Sequence, residues 1–568
     1  MKKMEPIAIK VKRTLEYYRR PILIAIIQWF ITTLFQVDRL FFVYECENRY
    51  LVATKLLYLC FLVIAWCFTF NAIKKIQSGD SLWVRGKKLF LGYLLVAMLL
   101  LLVLWPGTWS WDDLRILNAV STYGGWFAWQ HVLTGIYYDV LLQIVPFPGG
   151  IILLQNIIIA LCVAFIITKL ENVFNIKKFY TTGIDLAVKF FPFLLPPILM
   201  YSFSGYRMGI YVYIELVMLI MLISAHRENK EWGFKYTILF SVLCVITATW
   251  RTESFLYIPS ISLLILFVRG TIISNSKKTL CIVIIVIGSF GINIFQSQQL
   301  GNANYKVISL LGPCAELVRV ADYDRDKKEL EIIDKVTDIE VIAKNPTLNG
   351  EELYWDTGCV RNRNDDPDDD YTVEDYKNFL RAFTKLSLKY PKVVISERWN
   401  MFVVGSGITG ECRTNVSNAA ELFEEHNGNV AVEEVLNKGW LAFSPVYKKM
   451  RHFFINFLGV RKNNGNYIIW LKSIVYNAIV PELFLLFALI QALIRRKWFF
   501  AGISLAVLIR LPIVVLTQPS PWIMYVLSFY FLGYVFLVYM LLIRWSRSRG
   551  VSKSSIIVGK KEIDVKEL

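Results

Sequence analysis

The chain has only four histidines in 568 residues, no internal repeat at a fixed period, and no small-residue cleavage site after its first apolar run. The missing repeat argues against solenoids and propellers. His131 has no companion histidine nearby, and the cysteines that lie outside apolar runs (Cys46, Cys314, Cys359 and Cys412) are widely separated. Neither set has the spacing of a zinc site. The apolar run that follows Met1-Lys2-Lys3 and Arg19-Arg20 is too long for a signal peptide, so it reads as an uncleaved first span.

What the chain has in excess is apolar length. It is 55% hydrophobic and 15% aromatic, outside the range of soluble domains. Runs close to the roughly 20 residues that cross a bilayer recur along it. The expected spans are 22–43, 51–73, 88–105, 150–168, 184–201, 208–225, 236–250, 254–268, 279–297, 474–494, 498–516 and 521–543. The fold class expected is therefore an all-α polytopic membrane protein of about twelve transmembrane helices. Cys60, Cys67, Cys162, Cys244 and Cys281 fall inside these spans as packing residues.

The formal charge of +17 is concentrated between the spans. Segments 1–20, 74–88, 169–183, 226–235, 269–278, 495–497 and 544–568 hold 31 of the 62 Lys and Arg residues. The intervening short loops hold only Arg49, Arg115, Arg207 and Arg251. Basic loops stay in the cytoplasm, which puts both termini inside an integral plasma membrane protein. The positive charge then meets anionic lipid rather than nucleic acid. The apolar stretch 131–148 cannot be a span, because that would place Lys169, Lys177 and Lys178 outside. It is expected as an interfacial or re-entrant helix broken by Pro146, Pro148 and Gly149-Gly150.

Residues 298–466 change character, with charges of both signs, and are too long for a loop. They are expected to form a mostly helical extracytoplasmic domain, with helices in 325–344, 372–389 and 417–437. The run Asp365-Asp366-Pro367-Asp368-Asp369-Asp370 reads as solvated loop, since like charges repel and Pro367 breaks a helix. The four cysteines on this outer side could form disulfides, but spacing does not give a pairing.

The first long outer loop reads Trp105-Pro106-Gly107-Thr108-Trp109-Ser110-Trp111-Asp112-Asp113-Leu114-Arg115, continues through Gly124-Gly125-Trp126 and Trp129, and reaches His131. Two carboxylates thus follow a span in a loop rich in aromatics. A local reading makes Ser110 an N-cap and the acids partners of a helix dipole. The segment from Pro106 to Asp112 after a span, and the seven spans from 88–105 to 279–297 that end in a large outer domain, resemble the type C membrane glycosyltransferases. These enzymes use polyprenyl-phosphate sugars and include the protein O-mannosyltransferases and aminoarabinose transferases. The resemblance covers roughly 88–466 and implies a catalytic outer loop at 106–149 with membrane-parallel helices. Residues 1–87, the three helices of 467–543 and the basic tail 544–568 lie outside it.

The resemblance implies that Asp112, with Asp113 close behind, deprotonates the acceptor. A sugar on a lipid phosphate already has a good leaving group, so one base and several cations suffice. Arginine suits the phosphate through its bidentate fork. Arg207 lies in Ser204-Gly205-Tyr206-Arg207-Met208, Arg251 and Glu253 in Trp250-Arg251-Thr252-Glu253, and Arg510 inside a span just before Pro512. A charge in a span costs roughly 2.5–3.5 kcal/mol on insertion scales, so Arg510 needs a cavity or a partner. Arg251 and Arg510 are expected on the phosphate, and His131, Trp109 and Trp111 near the sugar. Many relatives carry a Lys-Asp pair where this chain has Ser204 to Met208, which counts against Arg207 in that role. In the outer domain, Tyr390-Pro391-Lys392 and Glu397-Arg398-Trp399 lead towards Arg413 and cover the loop from above or pack the domain.

The expected partners are a polyprenyl-phosphate sugar donor, a glycan, lipid or protein acceptor, and membrane lipid. No cofactor is required, and the use of a divalent cation is left open. The rivals are a polymerase of lipid-linked repeat units and a lipid or glycan transporter. One expectation is topological. A cysteine at position 174 should resist an impermeant thiol reagent on intact cells, and labelling there would invert the orientation.

Overall fold

The computed structural model describes residues 7–40, 48–121, 125–126, 130–228, 231–300, 304–361, 371–414 and 446–557. The acidic run 365–370, the stretch 417–437, Gly124, Trp129 and Cys46 lie outside the described residues. Among the described residues every regular element is a helix, with only isolated β-bridges between loops. The first group is α1 (Ile7–Leu34), α2 (Asn48–Gln77), α3 (Ser81–Leu104), α4 (Trp111–Ser121), α5 (Val132–Leu142) and α6 (Pro148–Phe174). Then come α7 (Thr182–Phe190), α8 (Pro196–Ser202), α9 (Met208–Arg227), α10 (Phe234–Thr249), α11 (Tyr257–Leu266) and α12 (Asn275–Leu300). A head domain is built from α13 (Ile308–Val320), α14 (Lys327–Asp334), α15 (Ile339–Lys344), α16 (Gly350–Asp356), α17 (Val373–Lys389) and α18 (Pro391–Gly405). The chain ends in α19 (Lys448–Gly459), α20 (Ile469–Val475), α21 (Ile479–Ile494), α22 (Trp498–Leu508), α23 (Leu511–Thr517) and α24 (Leu527–Ile557).

This is a multi-pass helical membrane protein. Among the described residues eight helices are long and apolar enough to cross a membrane, or nine if the pair Thr182–Phe193 and Pro196–Ser202 is one span bent by 71° at its prolines. The other expected spans are realised differently. The one at 22–43 ends at Leu34 and gives way to a turn and a 3-10 helix. The one at 236–250 is a 16-residue helix, about 24 Å at 1.5 Å per residue. The one at 254–268 is a five-residue 3-10 piece followed by the ten-residue α11. Helix α5 has 11 residues, too short to cross a core of about 30 Å.

The sequence of α3 shows why the helices pack as they do. Leu89, Tyr93, Ala97, Leu101 and Leu104 recur at helical spacing and are the buried stripe of a helix that packs chiefly on α6, with Tyr93 reaching Phe190, Phe193 and Tyr213. Leu91, Leu95, Leu99 and Leu102 form a second stripe that is 50–61% exposed. In water each such leucine would forgo roughly 1.5–3 kcal/mol of burial, whereas in hydrocarbon it forgoes little. From α6 the packing passes to α9, then α10 and α12, while α24 returns against α9 and α21. Helix α9 is buried nearly all round, as expected of a helix apolar on every side. At the basic-loop end, Arg85 and Lys189 both reach Glu171 and Asp185, so those charges are balanced in place.

The head domain has a core of its own, with Leu311, Leu317, Ile333, Leu353, Phe379 and Leu386 buried together. Thr372 and Asp375 close a capping box that starts α17, matching the helix expected at 372–389. The stretch 325–344 is broken into α14 and α15. Cys314, Cys359 and Cys412 are buried, and no disulfide joins them. The loop at 518–521 is one of the ties between the head and the membrane part: Gly350 donates to Pro519 O at 2.8 Å, Arg398 to Gln518 O at 2.8 Å and Arg413 N to Pro521 O at 2.8 Å.

Between the spans, Arg510 on the loop side of α22 is wholly buried and meets Glu215 of α9 at 2.5 Å. Removing one partner of a buried pair typically costs about 3–5 kcal/mol, whereas replacing both by apolar groups is often neutral. Glu215→Leu should therefore lower the unfolding temperature in detergent strongly, and Glu215→Leu with Arg510→Leu should recover most of the loss. An additive double variant would mean that the two charges do not support each other.

Candidate functional site

The loop between α3 and α4 is held by backbone. After the cis Trp105-Pro106 peptide, Thr108 N donates to Phe203 O at 2.7 Å and Gly205 N to Thr108 O at 3.2 Å. Two glycines allow this approach. A Cβ on Gly107, whose φ is +96°, would fall 2.6 Å from Ile152 and 2.8 Å from Phe203 O. One on Gly205 would fall 2.5 Å from the Tyr138 hydroxyl, which donates to Gly205 O. Gln155 of α6 donates to Ser202 O and Ser204 O, and its neighbour Asn156 to Ser202 O. From the far side Arg451 of α19 donates to Gly107 O at 2.8 Å. Gln155, Asn156 and Arg451 satisfy carbonyls that have no helix to bond.

This platform starts α4. Asp113 is fully buried and accepts from the backbone N–H of Ser110 at 3.0 Å and from Gln130 Nε2 at 3.2 Å. It is the third helical residue reaching back to the cap, so the local capping account belongs to Asp113. Burial, reinforced by the charge of Asp112, pushes the Asp113 carboxyl up to about 7. Asp112 is only partly buried. Trp111 opens the helix, and its side chain is outside the described set.

Around α4 the loops bring cations. Asp112, Asp113, Arg207 and Arg251 all lie close enough to act electrostatically on the Tyr206 hydroxyl. Arg207 is partly exposed; its Nη1 donates to Gln130 O at 2.6 Å and Trp250 O at 2.9 Å. Its Nε has no hydrogen-bond partner, and the guanidinium no carboxylate partner, among the described residues. Arg251 is paired with Glu253 at 2.5 Å and lies over the Tyr525 ring. His131 caps α5, with Nδ1 accepting from Leu133 N at 3.3 Å, so the ring proton sits on Nε2. That nitrogen is buried with no partner among the described residues. Burial and the Arg207 charge push His131 down to about 3, so it stays neutral at physiological pH.

Two expected site residues lie elsewhere. Trp109 is wholly buried, donates to Pro106 O and packs edge-on against Tyr138, so it supports the turn and cannot stack on a sugar. Arg510 donates from each of its three nitrogens, to Val507 O, Ser254 Oγ and Glu215, and is wholly buried, so it lies away from the partly exposed groups around Tyr206. Glu215, missed from sequence because it sits alone in an apolar run, also accepts from Tyr257 and Ser528. The roof over α4 is α16 rather than 390–399. Glu351 accepts from Trp522 Nε1 at 2.6 Å and lies within electrostatic reach of Asp112, and the Arg115 guanidinium faces the Trp355 ring at 6.0 Å. Glu397 and Arg398 are a buried pair within α18. Nothing local in the sequence marks Glu351, because its role depends on a contact between distant segments.

No three His, Cys, Asp or Glu side chains gather as a metal cluster among the described residues. No protein-family model, no curated protein and no solved structure matches the chain.

The raised pKa of Asp113 gives a pH dependence with a definite sign. An unfolded aspartate titrates near 3.9 and the folded one near 7, so the folded state holds the proton more tightly. The stability this contributes is fully present below about pH 4 and is lost as pH rises towards 7. The unfolding temperature should fall between pH 5 and 8 and fall less in Asp113→Asn. An unchanged slope in that variant would show that Asp113 titrates normally.

Proposed function

We propose that this protein is a type C glycosyltransferase that moves one sugar from a polyprenyl-phosphate donor to a glycan, lipid or protein acceptor of the cell envelope. The observation that carries the reading is the pairing of roles around Tyr206. A partly exposed carboxylate, Asp112, opens an interfacial helix beside a partly exposed arginine, Arg207, with no carboxylate partner among the described residues. In this reading both termini are cytoplasmic, the head domain lies outside, and about twelve helical passes include the seven of 88–297.

The acceptor hydroxyl attacks the anomeric carbon from the face opposite the lipid phosphate. Asp112 takes the hydroxyl proton as the new C–O bond forms, and the bond to the phosphate oxygen breaks with its electron pair. The stereochemistry inverts. Asp113, held as the cap and carrying a proton through part of the neutral range, leaves the adjacent charge to Asp112. The departing phosphate gains negative charge where Arg207 offers an unpaired N–H and Arg251 stands next to it. Glu253 cancels part of the Arg251 charge, so Arg207 supplies most of the net attraction. His131 contributes a neutral N–H at the same place. Arg510 acts beneath this layer, holding Ser254 and so the turn that carries Arg251 and Glu253.

Transfer from a polyprenyl-phosphate sugar in nanodiscs tests the assignment. Asp112→Asn keeps size and capping ability and should cost about two to four orders of magnitude in rate. Asp113→Asn should do less. Arg207→Ala should weaken binding of a polyprenyl phosphate by about one to two orders of magnitude, with Arg510→Leu in the double variant above doing less. Full activity in Asp112→Asn would remove it as the base, and unchanged phosphate affinity in Arg207→Ala would remove that residue from the donor site.

A further inference from the structure

Helix α19 reads Lys448-Lys449-Met450-Arg451-His452-Phe453-Phe454-Ile455-Asn456-Phe457-Leu458-Gly459 and packs on α8 and the end of α3. Its inner face is conventional: Arg451, Ile455 and Leu458 are at most 3% exposed. Its outer face is not. Tyr447, Met450, Phe453 and Phe457 follow one another at three- and four-residue steps and are 54%, 44%, 57% and 59% exposed. They form one apolar stripe, flanked at its start by exposed Lys448 and Lys449. A stripe of this kind on a helix of a water-soluble head would forgo roughly 1.5–3 kcal/mol for each large side chain. The stripe does not stand alone, because α19 is joined to α3, whose exposed leucines at 91, 95, 99 and 102 face lipid, by the bond from Arg451 Nε to Leu104 O at 3.4 Å.

We propose that α19 lies in the plane of the membrane surface on the head-domain side, with Tyr447, Met450, Phe453 and Phe457 in the boundary between headgroups and acyl chains and Lys448 and Lys449 on the phosphates of acidic phospholipids. Short helices with an aromatic face and lysines at one edge bind such surfaces through apolar area and charge together. The seat has a consequence inside the protein. Arg451, on the opposite face of the same helix, holds Gly107 O at the turn that presents Thr108 and then α4. Lipid under α19 thus steadies the platform on which Asp112 stands. The proposal goes beyond the glycosyltransferase reading and survives its failure, since it concerns where α19 sits and not what Asp112 does.

Nitroxide labels on Phe453→Cys and Phe457→Cys, in full-length protein in phosphatidylcholine nanodiscs with and without phosphatidylglycerol, test the position. Asn463→Cys, in the exposed turn that follows, is the aqueous control. Labels at 453 and 457 should relax strongly with oxygen and weakly with a water-soluble nickel chelate, the reverse of 463. Equal access of the nickel chelate to all three positions would overturn the proposal, as would protection of 453 and 457 from both relaxants, which would mean that protein covers the stripe. For the acidic headgroups, phosphatidylglycerol should raise the unfolding temperature of the unlabelled protein. The rise should be lost in Lys448→Gln with Lys449→Gln; a rise of the same size in that variant would remove the lysines from the lipid site.

Discussion

A guanidinium placed among apolar helices has to be neutralised where it stands, and the membrane part is arranged around one such neutralisation. Arg510 and Glu215 are both fully withdrawn from solvent. Desolvating two ions costs several kcal/mol each, and attraction repays this only when the remaining bonds are also made. Here they are made by four elements at once. Tyr257 of α11 and Ser528 of α24 donate to Glu215, while Ser254 receives from Arg510 and touches Tyr211 of α9. The pair therefore fixes the mutual position of α9, α11, α22 and α24, and through Ser254 it fixes the turn that bears Arg251 and Glu253.

The layer above follows a related rule applied to backbone. Where α8 ends and α9 has not begun, the carbonyls of Ser202 and Ser204 have no helical donor, and such groups are tolerated at membrane depth only if protein satisfies them. Gln155 and Asn156 do so from α6, and Thr108 adds the short parallel bridge. This bridge joins the loop that carries Asp112 to the loop that carries Arg207. The base and the anion site of the proposed reaction are thus set by one irregular backbone crossing rather than by two independent loops. Trp109 belongs to that crossing, which is why its ring is spent on packing.

Much of this was legible in the chain, and the limits have physical causes. Apolar length located the helices, because a span must be apolar whatever it packs against. It did not settle which short runs cross, since α10 and α11 are interrupted by the charged turn at Arg251 and Glu253. The carboxylate pair stood out from its place after a span, but which carboxylate caps the helix depended on the geometry at Ser110. A local rule treats positions two and three of a helix alike as favourable for acids, and only burial of Asp113 against Gln130 separated them. Arg510 stood out for the opposite reason. A charge in a span demands an explanation, and sequence offered a ligand where the fold supplies Glu215, 295 residues away.

That contrast also decides between the arginines. An arginine deep among helices is costly enough to have a permanent partner, and a permanent partner leaves it little to offer a ligand that comes and goes. Arg207 stands in the other situation. Its bonds go to two carbonyls, which position the guanidinium without cancelling its charge. Although the side chain is partly exposed, its Nε is buried, and this desolvation together with the Arg251 charge beside it disfavours the positive charge of Arg207. Such an arrangement is least favourable when empty and improves when an anion arrives, which is the behaviour required of a site that must bind a lipid phosphate more tightly as negative charge develops on it. The arginine that looked anomalous in the sequence therefore builds the scaffold, and the one that looked ordinary keeps an N–H without a partner among the described residues, which is what the proposed reaction asks of it.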